Sequence, residues 1–255
     1  PKPTVKILGT GTIVPDRDNL TLPLEVVNLH TVFIKAWLIQ ENNIQQFLQV
    51  NELDGESEIH RVGNPVWSDT VSLGLSIDDH LDKMRVGLDL NPLLAKHKPG
   101  LYHLEIGFDQ YCTWLDCDGL AFSQELGSEI YSGNPTTIEY WEQKKKAASE
   151  FRPWRNWWEN KEEPCHPAYY WSSWNSQEWN SLRLEVERNL LISNLGMIAK
   201  QDKNGMCRVF VTDLLTTEEL SGVKVSAFNF QNELLETVRT DSQGMAIFGQ
   251  NQSPK

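Results

Sequence analysis

The stretch "TVFIKAWLIQ", Thr31 to Gln40, decides the fold. Val32, Ile34, Ala36 and Leu38 fall on one face of an extended chain, and Phe33, Trp37 and Ile39 make the other face apolar too. Successive side chains of a strand point to opposite faces, so this strand needs cover on both and is expected to be central in its sheet. Its neighbours read the same way. In "LTLPLEVVN" Leu20, Leu22, Leu24 and Val26 share a face, and in "LYHLEIGF" Tyr102, Leu104, Ile106 and Phe108 alternate cleanly.

Between these runs the period changes. Ile44, Phe47 and Leu48 in "NNIQQFLQVN" have helical spacing, which predicts one or two turns of helix. Asp54-Gly55 is a turn signal, after which "EIHRV" and "DTVSLGL" read as strands. Short strands separated by turns through residue 108 predict a β-sandwich.

From Asp109 to about Glu187 the alternation stops. Asn134-Pro135-Thr136-Thr137 before "IEYWEQKKKAASEF" predicts a capped helix that Pro153 ends, and the rest is rich in Trp, Pro and Ser. So long an irregular stretch marks an insertion, at about 110–185. Strand signals return in "RNLLISNLGMIAK", "MCRVFVTDL", "GVKVSAFNF", "NELLETVRT" and "GMAIF", with hairpin turns expected at Lys203-Asn204-Gly205 and at Asn232. The fold class is therefore mostly β, in two sandwiches. The first spans residues 1–193 with the insertion inside it and "RNLLISN" as its last strand. The second spans 194–255 and is too short to be complete, so some strand edges are left for other parts of a longer protein to cover.

Bulk properties narrow the function. The 255 residues carry 35 acidic and 23 basic side chains, a net charge of −12. That balance disfavours nucleic acid and anionic membranes as partners, because both need a cationic surface. No apolar run approaches the roughly 20 residues of a membrane span. Pro1 to Lys6 opens straight into a strand-like pattern rather than a leader, and both ends read as boundaries within a longer polypeptide.

Candidate chemistry concentrates in the insertion. Trp141, Trp154, Trp157, Trp158, Trp171, Trp174 and Trp179, seven of the ten Trp, lie within it. With few Leu, Ile or Val beside them, they serve best as a local core, since each buried aromatic removes about 150–250 Å² from water. The alternative is a carbohydrate- or protein-binding surface formed by Trp154, Trp157, Trp158, Trp171 and Trp174. Cys165 with Cys117, or with Cys112, is a candidate disulfide, while Cys207 in a strand-like run reads as a buried free thiol. Zinc is disfavoured, because the adjacent Cys165-His166 pair can rarely present both side chains to one tetrahedral ion. The six His are scattered without ligand spacing, and no nucleophile elbow, Walker or dinucleotide fingerprint is present. No catalytic residue, metal or cofactor is expected.

Two stretches resemble a known family. "GTIVPDRDNLTLPLEVVNLHTVFIKAWLIQENNIQQFLQVNELDGESEIHRVG" resembles an early macroglobulin-like domain of bacterial α2-macroglobulins, notably in "VNL" and "NNIQQFLQVN". The C-terminal stretch is similar to the next such domain through S-x-L-G-x-x-A-K, V-T-D-L-x-T, G-V-x-V and T-D-x-x-G-x-A, which place Ser193, Gly196, Asp213, Gly222, Asp241 and Gly244. One departure is "TTEELSG" where the family favours "TGKPLAG"; a type I turn tolerates the change. The resemblance implies seven-stranded fibronectin-like sandwiches in a large extracytoplasmic protein, periplasmic and membrane-anchored, that traps proteases. It implies a scaffold role for this piece, with neighbouring domains of the same protein as partners and proteases as targets of the whole. The family's thioester needs Cys-x-Glu-Gln. Here Tyr140 precedes Trp141-Glu142-Gln143, so this chain has no thioester.

Overall fold

What covers the two faces of Thr31 to Gln40 is visible in a computed structural model, which describes residues 1–108, 112–115 and 184–249. The elements run β1 (Thr4–Ile7), β2 (Ile13–Val14), β3 (Thr21–Val27), β4 (Thr31–Ile39), α1 (Ile44–Leu48), α2 (Ile59–Val62), β5 (Gly63–Ser72), β6 (Met84–Asp89), α3 (Asn91–Leu94), β7 (Leu101–Phe108) and β8 (Leu184–Ile192). β4 is an inner strand of a five-stranded sheet, β2-β8-β7-β4-β5, and packs on a three-stranded sheet, β1-β3-β6. Val32, Ile34 and Ala36 meet Leu22, Leu24 and Val26 in the core between the sheets, joined by Tyr102, Leu104 and Ile106 from β7. All eight residues of β7 are buried. Both faces of the central strands are covered, as their apolar content requires.

The second cover is small and helical. Phe47 of α1 and Ile59 and Val62 of α2 pack on Trp37, Ile39 and Leu101, on the opposite side of the sheet from the main core. This corrects the reading of "EIHRV" as a strand. Ile59 and Val62 are three apart, and both must reach one apolar patch, which a helical turn allows and a strand does not. β5 starts directly afterwards at Gly63, and its Pro65 lies opposite Trp37 next to a register shift. β5 is an edge strand, the position where a residue without an N–H is tolerated. β8 is longer than the predicted "RNLLISN", because it pairs with β7 along the whole span from Leu184 to Leu191. The two-residue β2 joins β8 in parallel, Ile13 opposite Leu191, in a sheet whose other pairs are antiparallel.

After Ser193-Asn194 the chain enters a second set of strands: β9 (Leu195–Gln201), β10 (Cys207–Asp213), β11 (Lys224–Phe228), β12 (Leu234–Arg239) and β13 (Met245–Phe248). They form a three-stranded sheet, β13-β10-β9, and a two-stranded one, β11-β12. Val209, Val211, Ala246 and Phe248 are its buried apolar residues. Among the described residues β9 pairs with β10 alone, and its Leu195, Met197 and Ile198 are 50%, 65% and 63% exposed. Cys207, expected to be buried, is half-buried and has a free thiol.

The turns explain the residues that carried the resemblance. Asp202 Oδ1 accepts from the amides of Asn204 and Met206, and Asp241 Oδ1 does the same for Gln243 and Met245, closing two hairpins of one design. Gly244 has φ +68, and a Cβ there would stand 2.5 Å from Val211 O. Only glycine fits such a left-handed position against a neighbouring strand. The loop after β10, which runs into "TTEELSG", is closed by Asp213. Asp213 Oδ1 accepts from Leu215 N and Thr216 N, Thr217 N donates to Asp213 O, and Thr217 has φ +64. A β-branched side chain therefore occupies a left-handed conformation that disfavours it.

Candidate functional site

The residues proposed from sequence for a disulfide or a ligand surface, Cys117, Cys165, Trp154, Trp157, Trp158, Trp171 and Trp174, lie outside the described residues, as does the predicted helix after Thr136. Cys112 is described and is buried beside the core.

The main polar constellation among the described residues lies on the face of the five-stranded sheet turned away from the main core. Register places Lys35, Glu105 and Glu187 in one row across β4, β7 and β8, and Trp37, His103 and Asn189 in the next. Lys35 Nζ sits 3.0 Å from Glu105 Oε2, and Trp37 Nε1 donates to Glu105 Oε1 at 2.9 Å. Lys35 and Glu105 are 9% and 8% exposed, so their charges are held by pairing and not by water.

Asn189 fixes the second row. Its Nδ2 donates to Leu53 O at 2.8 Å and Gly55 O at 2.7 Å, leaving Oδ1 as an acceptor 2.8 Å from His103 Nδ1. His103 must therefore carry its proton on Nδ1. Its Nε2 then faces Glu105 Oε1 at 3.9 Å and Glu187 Oε2 at 3.7 Å. Through Asn189 the network also ties the Asp54-Gly55 turn to the sheet. These bonds brace three strands and a loop. No group of three or more metal-ligating side chains occurs among the described residues.

Sequence reasoning passed over this network. The available signal was Lys35 in "TVFIKAWLIQ", a charged residue in a strand apolar on both faces. A charge in such a strand requires a partner. The other His residues do different things. His30 stacks on Trp114 with ring centroids 4.8 Å apart, and His80 caps the backbone at Ile77 O. No helix among the described residues is long and apolar enough to cross a membrane.

Comparison with known proteins supplies what the network does not. Residues 192–255 match the family described as the bacterial alpha-2-macroglobulin MG3 domain. Over 68 residues, 27% of the chain, the sequence is 32% identical to alpha-2-macroglobulin of Rickettsia conorii, and the match spans 4% of that protein's length. The whole fold is similar to native alpha-2-macroglobulin of Escherichia coli spanning domains NIE-MG1, with TM-score 0.54 at 13% identity over 96% of this chain and 86% of that one. Trypsin-activated alpha-2-macroglobulin from Escherichia coli superposes with TM-score 0.55 at 12% identity, over 96% of this chain and 12% of that one. At these identities the structures speak for the fold alone. The sequence match names MG3 and the first of these structures spans NIE-MG1, so fold likeness does not fix where the modules sit in a longer protein. By sequence over residues 192–255 and by fold over nearly its whole length, this chain is similar to the bacterial alpha-2-macroglobulin family.

Proposed function

We propose that this chain supplies two scaffold modules to a large bacterial alpha-2-macroglobulin-like protease inhibitor, without catalysis of its own. The observation that carries the reading is the MG3 match over residues 192–255, continuous with a chain whose whole fold resembles the E. coli protein. Neighbouring domains of the same protein are its immediate partners, and proteases are targets of the whole. An extracytoplasmic, periplasmic and membrane-anchored location belongs to the same proposal.

Steric trapping gives the test. The full-length protein is incubated with an endopeptidase such as trypsin, and residual activity is measured on a small chromogenic peptide and on a large protein substrate. Trapping preserves activity on the small substrate and abolishes it on the large one. Equal activity on both, with and without the protein, would remove the inhibitor reading and leave a scaffold of another kind.

A further inference from the structure

We propose that the Ser193-Asn194 peptide is a hinge between the two sets of strands and that Gln49 is its latch. The joint is anchored on both sides within two residues. Ser193 N donates to Val14 O at 3.1 Å, which fixes it to the first sandwich, and Asn194 O accepts from Leu214 N at 2.8 Å, which fixes it to the second. Rotation between the modules must therefore be absorbed where these two residues meet.

Away from the joint, Gln49 Nε2 at the end of α1 donates to Phe230 O between β11 and β12, at 2.7 Å. Among the described residues no apolar interface surrounds that bond. Leu48, Val50 and Phe230, the residues placed to form one, are 45%, 60% and 74% exposed. A contact of this kind is an exposed hydrogen bond whose net contribution is modest.

The joint carries an opposing term. Asn194 Oδ1 is sealed from solvent with no hydrogen-bond partner. A buried acceptor without a donor loses its hydration and gains nothing in exchange, so the arrangement holding the latch is penalised at its own hinge. Opening the joint breaks the Gln49 contact and lets water reach Asn194 Oδ1. Two small terms of opposite sign make a balanced two-state element, the requirement for a joint that a neighbouring domain can bias.

The test uses the 255-residue chain with spin-labelled noncanonical residues at exposed Asp78 and Lys203, read by pulsed electron-electron distance measurement. Two distance populations are expected. Gln49→Ala raises the open-to-latched ratio about twofold to tenfold, the range for loss of one exposed hydrogen bond. Gln49→Glu, of similar size but without the donor, shifts it the same way. Asn194→Ala removes the orphaned acceptor and shifts the ratio in the opposite direction. One unimodal distribution shared by all four proteins, or Gln49 and Asn194 variants moving together, overturns the proposal.

Discussion

Thr217 gives a prediction in which the structure fixes both the sign and the size. Its φ of +64 places a β-branched residue in the left-handed region, its side chain is exposed, and its amide is needed for the bond to Asp213 O. Left-handed backbone costs an L-residue about 1–2 kcal/mol. Glycine removes that cost but loses roughly 0.5–1 kcal/mol more conformational freedom on folding. Because no buried contact of the side chain is lost, Thr217→Gly should stabilise the second set of strands by about 0.5–1 kcal/mol. The Val211 amide is a suitable reporter, since it bonds to Gly244 O at 2.8 Å inside the small core. Its hydrogen exchange under conditions that report opening free energy should slow by about twofold to fivefold. Thr217→Ala keeps a Cβ and should recover little of the gain. Unchanged or faster exchange in the glycine variant, or an equal effect in the alanine one, would show that the loop stores no strain.

Three further outcomes follow from the same geometry. Glu105→Ala removes the carboxylate shared by buried Lys35 and Trp37 Nε1 and should cost about 3 kcal/mol in urea unfolding followed by Trp fluorescence, whereas the double change Lys35→Met with Glu105→Leu should cost clearly less. Burial pushes the Tyr102 hydroxyl up to about 12 while it donates to Lys98 O. In the unfolded chain it ionises near 10, so its contribution is whole below about pH 10 and lost as pH rises towards 12; Tyr102→Phe should erase that step from the alkaline stability profile. Gly244→Ala should destabilise the second set of strands by about 2 kcal/mol or more, seen as lost amide protection in β10, because its Cβ would meet Val211 O at 2.5 Å.

How much of this was legible beforehand differs from element to element. The strand of Thr31 to Ile39 was readable as central because period-2 alternation is local and apolar residues on both faces demand two covers. The hairpin at Lys203-Asn204-Gly205 was readable for a similar reason, since the Asp202 side chain reaches the amides two and four residues on without help from elsewhere. "EIHRV" misled because five residues fit either period, and the choice was made by a patch formed by Trp37, Phe47 and Leu101, which lie far away in sequence.

Local sequence thus determined the fold class, the main strands, the hairpin turns and the family resemblance. Only the tertiary structure decided what those strands enclose. Lys35, Glu105, His103 and Asn189 come from three strands up to 154 positions apart in the chain (189 − 35), and they meet because sheet register aligns them in two rows. Register depends on every pair in the ladder at once, so no stretch of sequence shows that a lone lysine in an apolar strand has its carboxylate waiting on the neighbouring one.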